Sequence, residues 1–281
     1  MSTILSQIET GRKIGPPRGV IFGHPKSGKT TLLASIPGIV VVPLEDGQGT
    51  LDYPRTPQPE TYDAFMLTLK ELAITKHGYK AVGIDGLNGV EELIWRWICT
   101  DNDWVAFHAY GRGPRQAAVL WQDVCKALNA IRARGIAIWC AAHSKDENAE
   151  DVTVGTYRRV SPALDKHALG VVAKWSDLIG CIEIERMAKE VGGKEPATKT
   201  RTSRTTGVRR LIVEDDGAHM AGNRYGLGSP IELPEENPYG PLRAALRASI
   251  AVKPAPVSEP EETNADEQAS ATEEVAPQEA A

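Results

Sequence analysis

The run Gly23-His24-Pro25-Lys26-Ser27-Gly28-Lys29-Thr30 constrains this chain more than any other segment. It matches G-x-x-x-x-G-K-[ST], a loop whose glycines let successive backbone N–H groups turn toward phosphate oxygens. In that pattern the lysine reaches the β- and γ-phosphates and the hydroxyl residue ligates Mg²⁺. Flanking sequence supplies the required context. Residues 19–23 (GVIFG) form an apolar run suited to a buried strand, and residues 29–35 read as a helix stopped by Pro37-Gly38. A helix starting there offers its positive end to an anion. Residues Gly23, His24, Pro25, Lys26, Ser27, Gly28, Lys29, Thr30 and Thr31 are therefore the expected nucleotide contacts, with ATP and Mg²⁺ as ligands. No Asn-Lys-x-Asp guanine-reading motif is present, which favours adenine.

Such a loop needs an acid at the end of a nearby strand to complete the Mg²⁺ shell. The run Ala81-Val82-Gly83-Ile84-Asp85 supplies one, so Thr30 and Asp85 are the expected metal residues. Hydrolysis further needs a group that orients or deprotonates water. Glu45, after the apolar run 39–44, is the favoured candidate, with Asp46 able to share its role. Glu91 or Glu92, in a helix after Asp85, is the alternative. Gly86 follows Asp85 directly, so the common Asp-Glu pair is absent. His143 and Ser144 close another apolar run, 136–142, where a polar residue can sense the γ-phosphate; Lys145 is a weaker candidate. Lys29, Glu45 and His143 make up the expected catalytic set.

Strand-like runs at 19–23, 39–44, 81–84, 136–142, 177–185 and 208–214 alternate with helical patterns at 61–75, 90–99 and 116–132. That alternation predicts an α/β fold with a mainly parallel sheet flanked by helices, followed by a C-terminal β-hairpin region. The 281 residues carry a net charge of −5, which at first argues against a nucleic-acid partner. The charge is unevenly spread. Residues 252–281 hold eight acids and one lysine, so the first 251 residues are at +2. The tail has no aromatic residue and is rich in Pro, Ala and Glu, which predicts disorder. The expected organisation is a segment 1–18, an ATPase domain 19–251 and the acidic tail 252–281. No apolar run is long enough for a membrane span and residues 1–18 lack an apolar signal core, so a cytoplasmic protein is expected. The four cysteines are far apart and read as reduced thiols, and no zinc-ligand spacing is present.

Several segments in order resemble a known group. They are the GHPKSGKTT loop, Leu44-Glu45-Asp46-Gly47, Ile84-Asp85-Gly86-Leu87, Tyr110-Gly111-Arg112-Gly113 and Ala142-His143-Ser144-Lys145. Val172-Ala173-Lys174-Trp175-Ser176-Asp177 and Asn223-Arg224-Tyr225-Gly226-Leu227 complete the set. Together, over about residues 19–242, they resemble the phage-encoded RecA-like ATP-binding proteins, the AAA-domain or Sak-type single-strand annealing group. The resemblance implies a RecA-like P-loop NTPase core, ATP hydrolysis, and binding of single-stranded DNA in phage recombination, annealing or replication. It also implies self-association into rings or filaments, and hence the cytoplasm of an infected bacterial host. A single-strand-binding or replication protein is a further possible partner. The resemblance places Glu45 where RecA-like proteins carry their catalytic glutamate and His143 where they carry a polar sensor.

Two stretches are candidates for DNA contact. Residues 186–210 carry eight bases against two acids, and the part 191–206, rich in Gly, Thr, Lys and Ser, reads as a flexible loop that neutralises phosphates without reading sequence, with a solvated basic hairpin as the alternative. Lys194, Lys199, Arg201 and Arg204 are its expected contacts. The second is Tyr110 to Arg115, where Arg112 and Arg115 lie near Trp104, Phe107 and Tyr110, a mixture suited to base stacking, with Trp104 and Phe107 equally readable as core residues. Arg224 is either an arginine finger reaching a neighbouring subunit's γ-phosphate or a buried ion-pair residue. Two other functions compete: an ATP-gated partner-binding protein such as a helicase loader, and a P-loop kinase.

Overall fold

The computed structural model describes residues 14–47, 49–108, 111–153, 155–192 and 199–251, with backbone only for 188–192 and 199–204. The acidic tail, most of segment 1–18, Tyr110 and Lys194 lie outside the described residues, as do the side chains of Lys199, Arg201 and Arg204.

The apolar runs form strands. β1 (Arg18–Gly23), β2 (Ile39–Pro43) and β3 (Ala81–Asp85) are short and almost wholly buried. β4 (Ala137–Asp151) pairs in parallel with β1 and β3, and β6 (Leu178–Gly192) pairs in parallel with the other side of β1. β2 pairs in parallel with β3. β7 (Lys199–Ile212) and then β9 (Ile231–Leu233) extend the sheet antiparallel beyond β6, giving the order β2-β3-β4-β1-β6-β7-β9. The two-residue β8 (Gly222–Asn223) pairs with the start of β6. Near-continuous apolar strands are what a parallel sheet covered on both faces requires.

Alternate side chains of each strand enter different cores. Val20, Phe22, Val40, Val42, Val82 and Ile84 meet α2 (Tyr62–Ile74), α3 (Leu87–Asp101), α4 (Gly113–Arg132) and α5 (Lys166–Trp175) on one face. Ile21, Ile39, Val41 and Ala81 meet α1 (Lys29–Ala34) and α6 (Tyr239–Ala251) on the other. The fold is thus a three-layer α/β core of the RecA-like P-loop NTPase type. Local chemistry sets the helix starts: the Thr61 hydroxyl accepts from the Ala64 N–H at 3.1 Å, and the Asp165 carboxylate accepts from the His167 N–H at 2.9 Å.

Four expectations need correction. β4 does not end at His143. Residues 138–143 pair with β1, and 144–151 then pair antiparallel with β5 (Gly155–Pro162), so the strand runs on into a ribbon. The basic stretch 191–206 is not a loop where it is described. Residues 186–192 of β6 pair with 199–205 of β7, apart from an irregularity after Ile184. Phe107 is buried and stacks on Trp95, with ring centroids 4.6 Å apart, and Trp104 packs on the same core, so these rings are not a base platform. Helices α5 and α6 were not anticipated.

Aromatic packing and a charged clamp close the end of the sheet where β1 begins. Asp177 lies 2.6 Å from an Arg18 amino group, with Arg132 and Arg224 at 3.4 and 3.3 Å. Burial alone would raise its carboxyl, but the Arg18 hydrogen bonds and the charges of Arg18 and Arg132 hold it below the usual range. Among the described residues no helix is long and apolar enough to cross a membrane.

Candidate functional site

The C-terminal ends of four parallel strands lie side by side. Gly23 is level with His143, Asp85 with Ala141, and Pro43 with Asp85. The connection after β1 leaves toward the face of α1, and that after β3 leaves toward the face of α3. Opposed departures of this kind open a crevice at the strand ends, the common ligand site of such sheets.

The loop Gly23–Thr30 sits there. Gly28 is left-handed at φ 104°, where glycine is favoured, and a Cβ would also lie 3.3 Å from the Arg209 side chain. The Lys29 ammonium is buried and donates to the carbonyls of Gly23 and His24, each at 3.0 Å. Burial lowers its pKa, and the nearby charges of Glu45 and Asp85 oppose that shift. Thr30 Oγ1 donates to Asp85 Oδ2 at 2.9 Å. Burial raises the Asp85 carboxyl, and the Thr30 hydroxyl works against this. Ser27 is only 2% exposed, yet its Oγ has no partner.

Glu45 and His143 meet across the site, with Oε2 and Nε2 2.9 Å apart. A carboxylate accepting there places the imidazole proton on Nε2, and Nδ1 is left buried without a partner. Gly86 explains the missing Asp-Glu pair. Its φ is 108°, and a Cβ would lie 2.8 Å from Glu45 Oε1. The acid that elsewhere follows the strand aspartate would occupy the place that Glu45 already fills.

The other acids separate by their surroundings. Asp46 is exposed. Glu92 is exposed too, whereas Glu91 is 6% exposed and accepts the Asp165 N–H at 2.9 Å. Lys145 donates to the Leu164 carbonyl at 2.8 Å, and the Ser144 Oγ is buried without a partner. Asn88, which sequence reasoning passed over, accepts the His143 N–H at 2.8 Å and donates to the Ala163 carbonyl. It fixes the backbone that carries His143. Its spacing of three from Glu91 puts both on one helix face, a signal that gains meaning only once the 163–165 segment is seen to lie against it.

Glu91 makes a pH-dependent contribution. Burial raises its pKa from 4.5 to about 7. The native state therefore holds a proton that the unfolded chain has already lost, and stability falls as pH rises from about 4.5 through 7. Glu91→Gln keeps the acceptor for Asp165 but does not titrate. Its melting temperature relative to the parent should climb between pH 5 and pH 8. A constant difference would contradict this placement of Glu91.

Arg112 and Arg115 are exposed at the start of α4. Arg224 bonds Asp177 and donates to the Lys174 carbonyl at 2.8 Å, at the end of the sheet away from the phosphate loop. Within its own chain it is thus an ion-pair residue.

The donor set fits a nucleotide with a divalent cation. No group of three His, Cys, Asp or Glu among the described residues could hold a metal alone. Thr30 and Asp85 offer two hard oxygens, which suits Mg²⁺ completed by phosphate and water. The Ser27 hydroxyl and the Lys29 ammonium, which now donates to two loop carbonyls, are the donors with capacity for an incoming anion. None of the curated proteins matches the chain. The AAA domain family matches residues 15–225, a span holding every residue of this cluster, and the chain belongs to that family, a nucleotide-binding P-loop ATPase.

Proposed function

We propose that this ATPase hydrolyses Mg-ATP with Glu45 as the water-orienting residue and couples hydrolysis to single-stranded DNA held on the β6–β7 hairpin, in phage recombination, annealing or replication. One observation carries the coupling. β6 pairs with β1 up to the phosphate loop, Gly23 lying level with Ile182, and the basic hairpin begins four residues beyond, at Arg186. The sequence puts eight bases between 186 and 210, and the described part of that ribbon continues the strand beside the loop. Such a ribbon suits electrostatic, sequence-independent binding of a phosphate backbone.

Each residue of the site has a part in this reading. When phosphate arrives, Lys29 exchanges the Gly23 and His24 carbonyls for phosphate oxygens. Thr30 and Asp85 would hold Mg²⁺, which would offset the charge of the phosphates. Glu45 accepts a proton from, or aligns, the attacking water. His143 fixes the Glu45 carboxylate, so any contact it makes with the γ-phosphate requires the 2.9 Å bond to Glu45 to be exchanged. Self-association into a ring or filament accompanies this reading. Arg224 then serves a neighbour only if it leaves Asp177.

The DNA arm is tested with a labelled oligonucleotide by fluorescence anisotropy at low salt. Arg201→Glu with Arg204→Glu should weaken binding about uniformly across sequences and flatten its salt dependence. Deleting 252–281 should tighten binding if the acidic tail competes for the hairpin. No binding by the parent chain at low salt overturns the DNA reading and leaves an ATP-gated partner-binding protein.

A further inference from the structure

The phosphate loop has a cationic neighbour that the loop motif does not contain. Arg209 lies on β7, level with Ile184 of β6, and two residues from Leu211. Residues two apart on a strand share a face. Leu211 is buried beside Leu32 and Leu33 of α1, on the face that α1 covers. Arg209 continues that face past the edge of the apolar core and meets the loop at Gly28. A Cβ there would stand 3.3 Å from both Arg209 Cδ and Nε.

Among the described residues Arg209 has no ion pair, and its Nε is buried with no hydrogen-bond partner. Its neighbour Arg210, on the opposite face, differs: it pairs with Glu185 at 2.8 Å. A buried donor left unpaired is costly, so one beside a phosphate-binding loop calls for an anionic partner. A guanidinium presents a planar fork that matches phosphate oxygens in pairs. When Lys29 turns from the loop carbonyls to phosphate it brings one compact ammonium, so a forked second cation adds capacity of its own.

We propose that Arg209 is a phosphate-binding residue for the nucleotide held by its own chain, turning its fork onto the phosphate chain when ATP occupies the loop. The proposal rests on the reading of residues 23–30 as the nucleotide site. It also gives the basic hairpin a physical tie to that site, since Arg209 lies on β7 of that hairpin and meets the loop at Gly28.

The experiment is calorimetric titration of the full chain with Mg-ATP, together with melting of the nucleotide-free protein. Arg209→Gln should bind about tenfold more weakly, the loss expected for one charge-assisted contact, with the melting temperature of the nucleotide-free protein unchanged. Arg209→Lys keeps the charge and the stem lying on Gly28 but loses the fork, so its affinity should fall between the two. Affinity equal to the parent in either variant overturns the proposal. So does a weakened affinity matched by a lowered melting temperature without nucleotide, which would make Arg209 a structural support of the loop. Mixing Arg209→Gln with Lys29→Ala protein distinguishes the source of the arginine. Restored binding would mean that a neighbouring chain supplies it and would overturn the same-chain assignment. Failure of the parent itself to bind Mg-ATP would refute instead the nucleotide site on which the proposal rests.

Discussion

Glu45→Gln should bind Mg-ATP as tightly as the parent and hydrolyse it about 10²- to 10⁴-fold more slowly, the range spanned by a positioned general base. The amide keeps the size of the side chain and can still meet His143 Nε2, now 2.9 Å from Glu45 Oε2. It keeps the fit against Gly86, where the glutamate side chain takes the place a Cβ would need. What it loses is the charge that accepts a proton from water. Binding and chemistry should therefore separate cleanly, as they do when an interaction is made only in the transition state. Turnover at the parent rate would remove Glu45 from the mechanism. Exposed Asp46 would then be the remaining acid on the same turn, since Glu91 is occupied by the Asp165 backbone.

Lys29→Ala should have the opposite signature and lose nucleotide binding itself. The ammonium is buried and bonded to two loop carbonyls, and burial lowers its pKa while Glu45 and Asp85 favour its charged form. Its loss removes a charge-assisted contact worth about 1.5–3 kcal/mol, or roughly 10- to 150-fold in affinity. It also leaves Glu45 and Asp85 facing each other and an incoming polyanion without their nearest cation. His24 is exposed, so its carbonyl can turn to water, while the buried Gly23 carbonyl loses its donor, so a modest fall in melting temperature should accompany the loss of binding. Titration with Mg-ATP and a melting curve check both halves. Undiminished affinity would contradict the placement of the phosphate chain on this loop.

The sequence made the loop legible because its spacing, the strand before it and the helix after it agree. Asp85 was legible for the same reason: an apolar run of strand length ends on it. Gly86 was visible but not intelligible, since its cause is Glu45, forty-one residues away in sequence and brought close only by the pairing of β2 with β3. The stretch 191–206 was read first as a loop, with a hairpin as the alternative, because Gly, Thr, Lys and Ser mark a loop by composition. Its described residues pair as a two-stranded ribbon whose partner segment could not be seen from either strand alone. His143 was correctly placed at the edge of the parallel sheet. The ribbon beyond it was hidden because Ser144 to Asp151 is polar and finds its pairing in β5 rather than in the core. Asn88 and Arg209 follow from tertiary approach, and no local pattern announces either.

The central claim, that hydrolysis at this loop answers to DNA on the adjoining hairpin, is tested most directly by steady-state phosphate release from Mg-ATP with and without single-stranded DNA at low salt. A several-fold rise with DNA, lost in Glu45→Gln and in the Arg201→Glu, Arg204→Glu variant, is the predicted result. The same rate with and without DNA, in a chain that hydrolyses ATP, would contradict it.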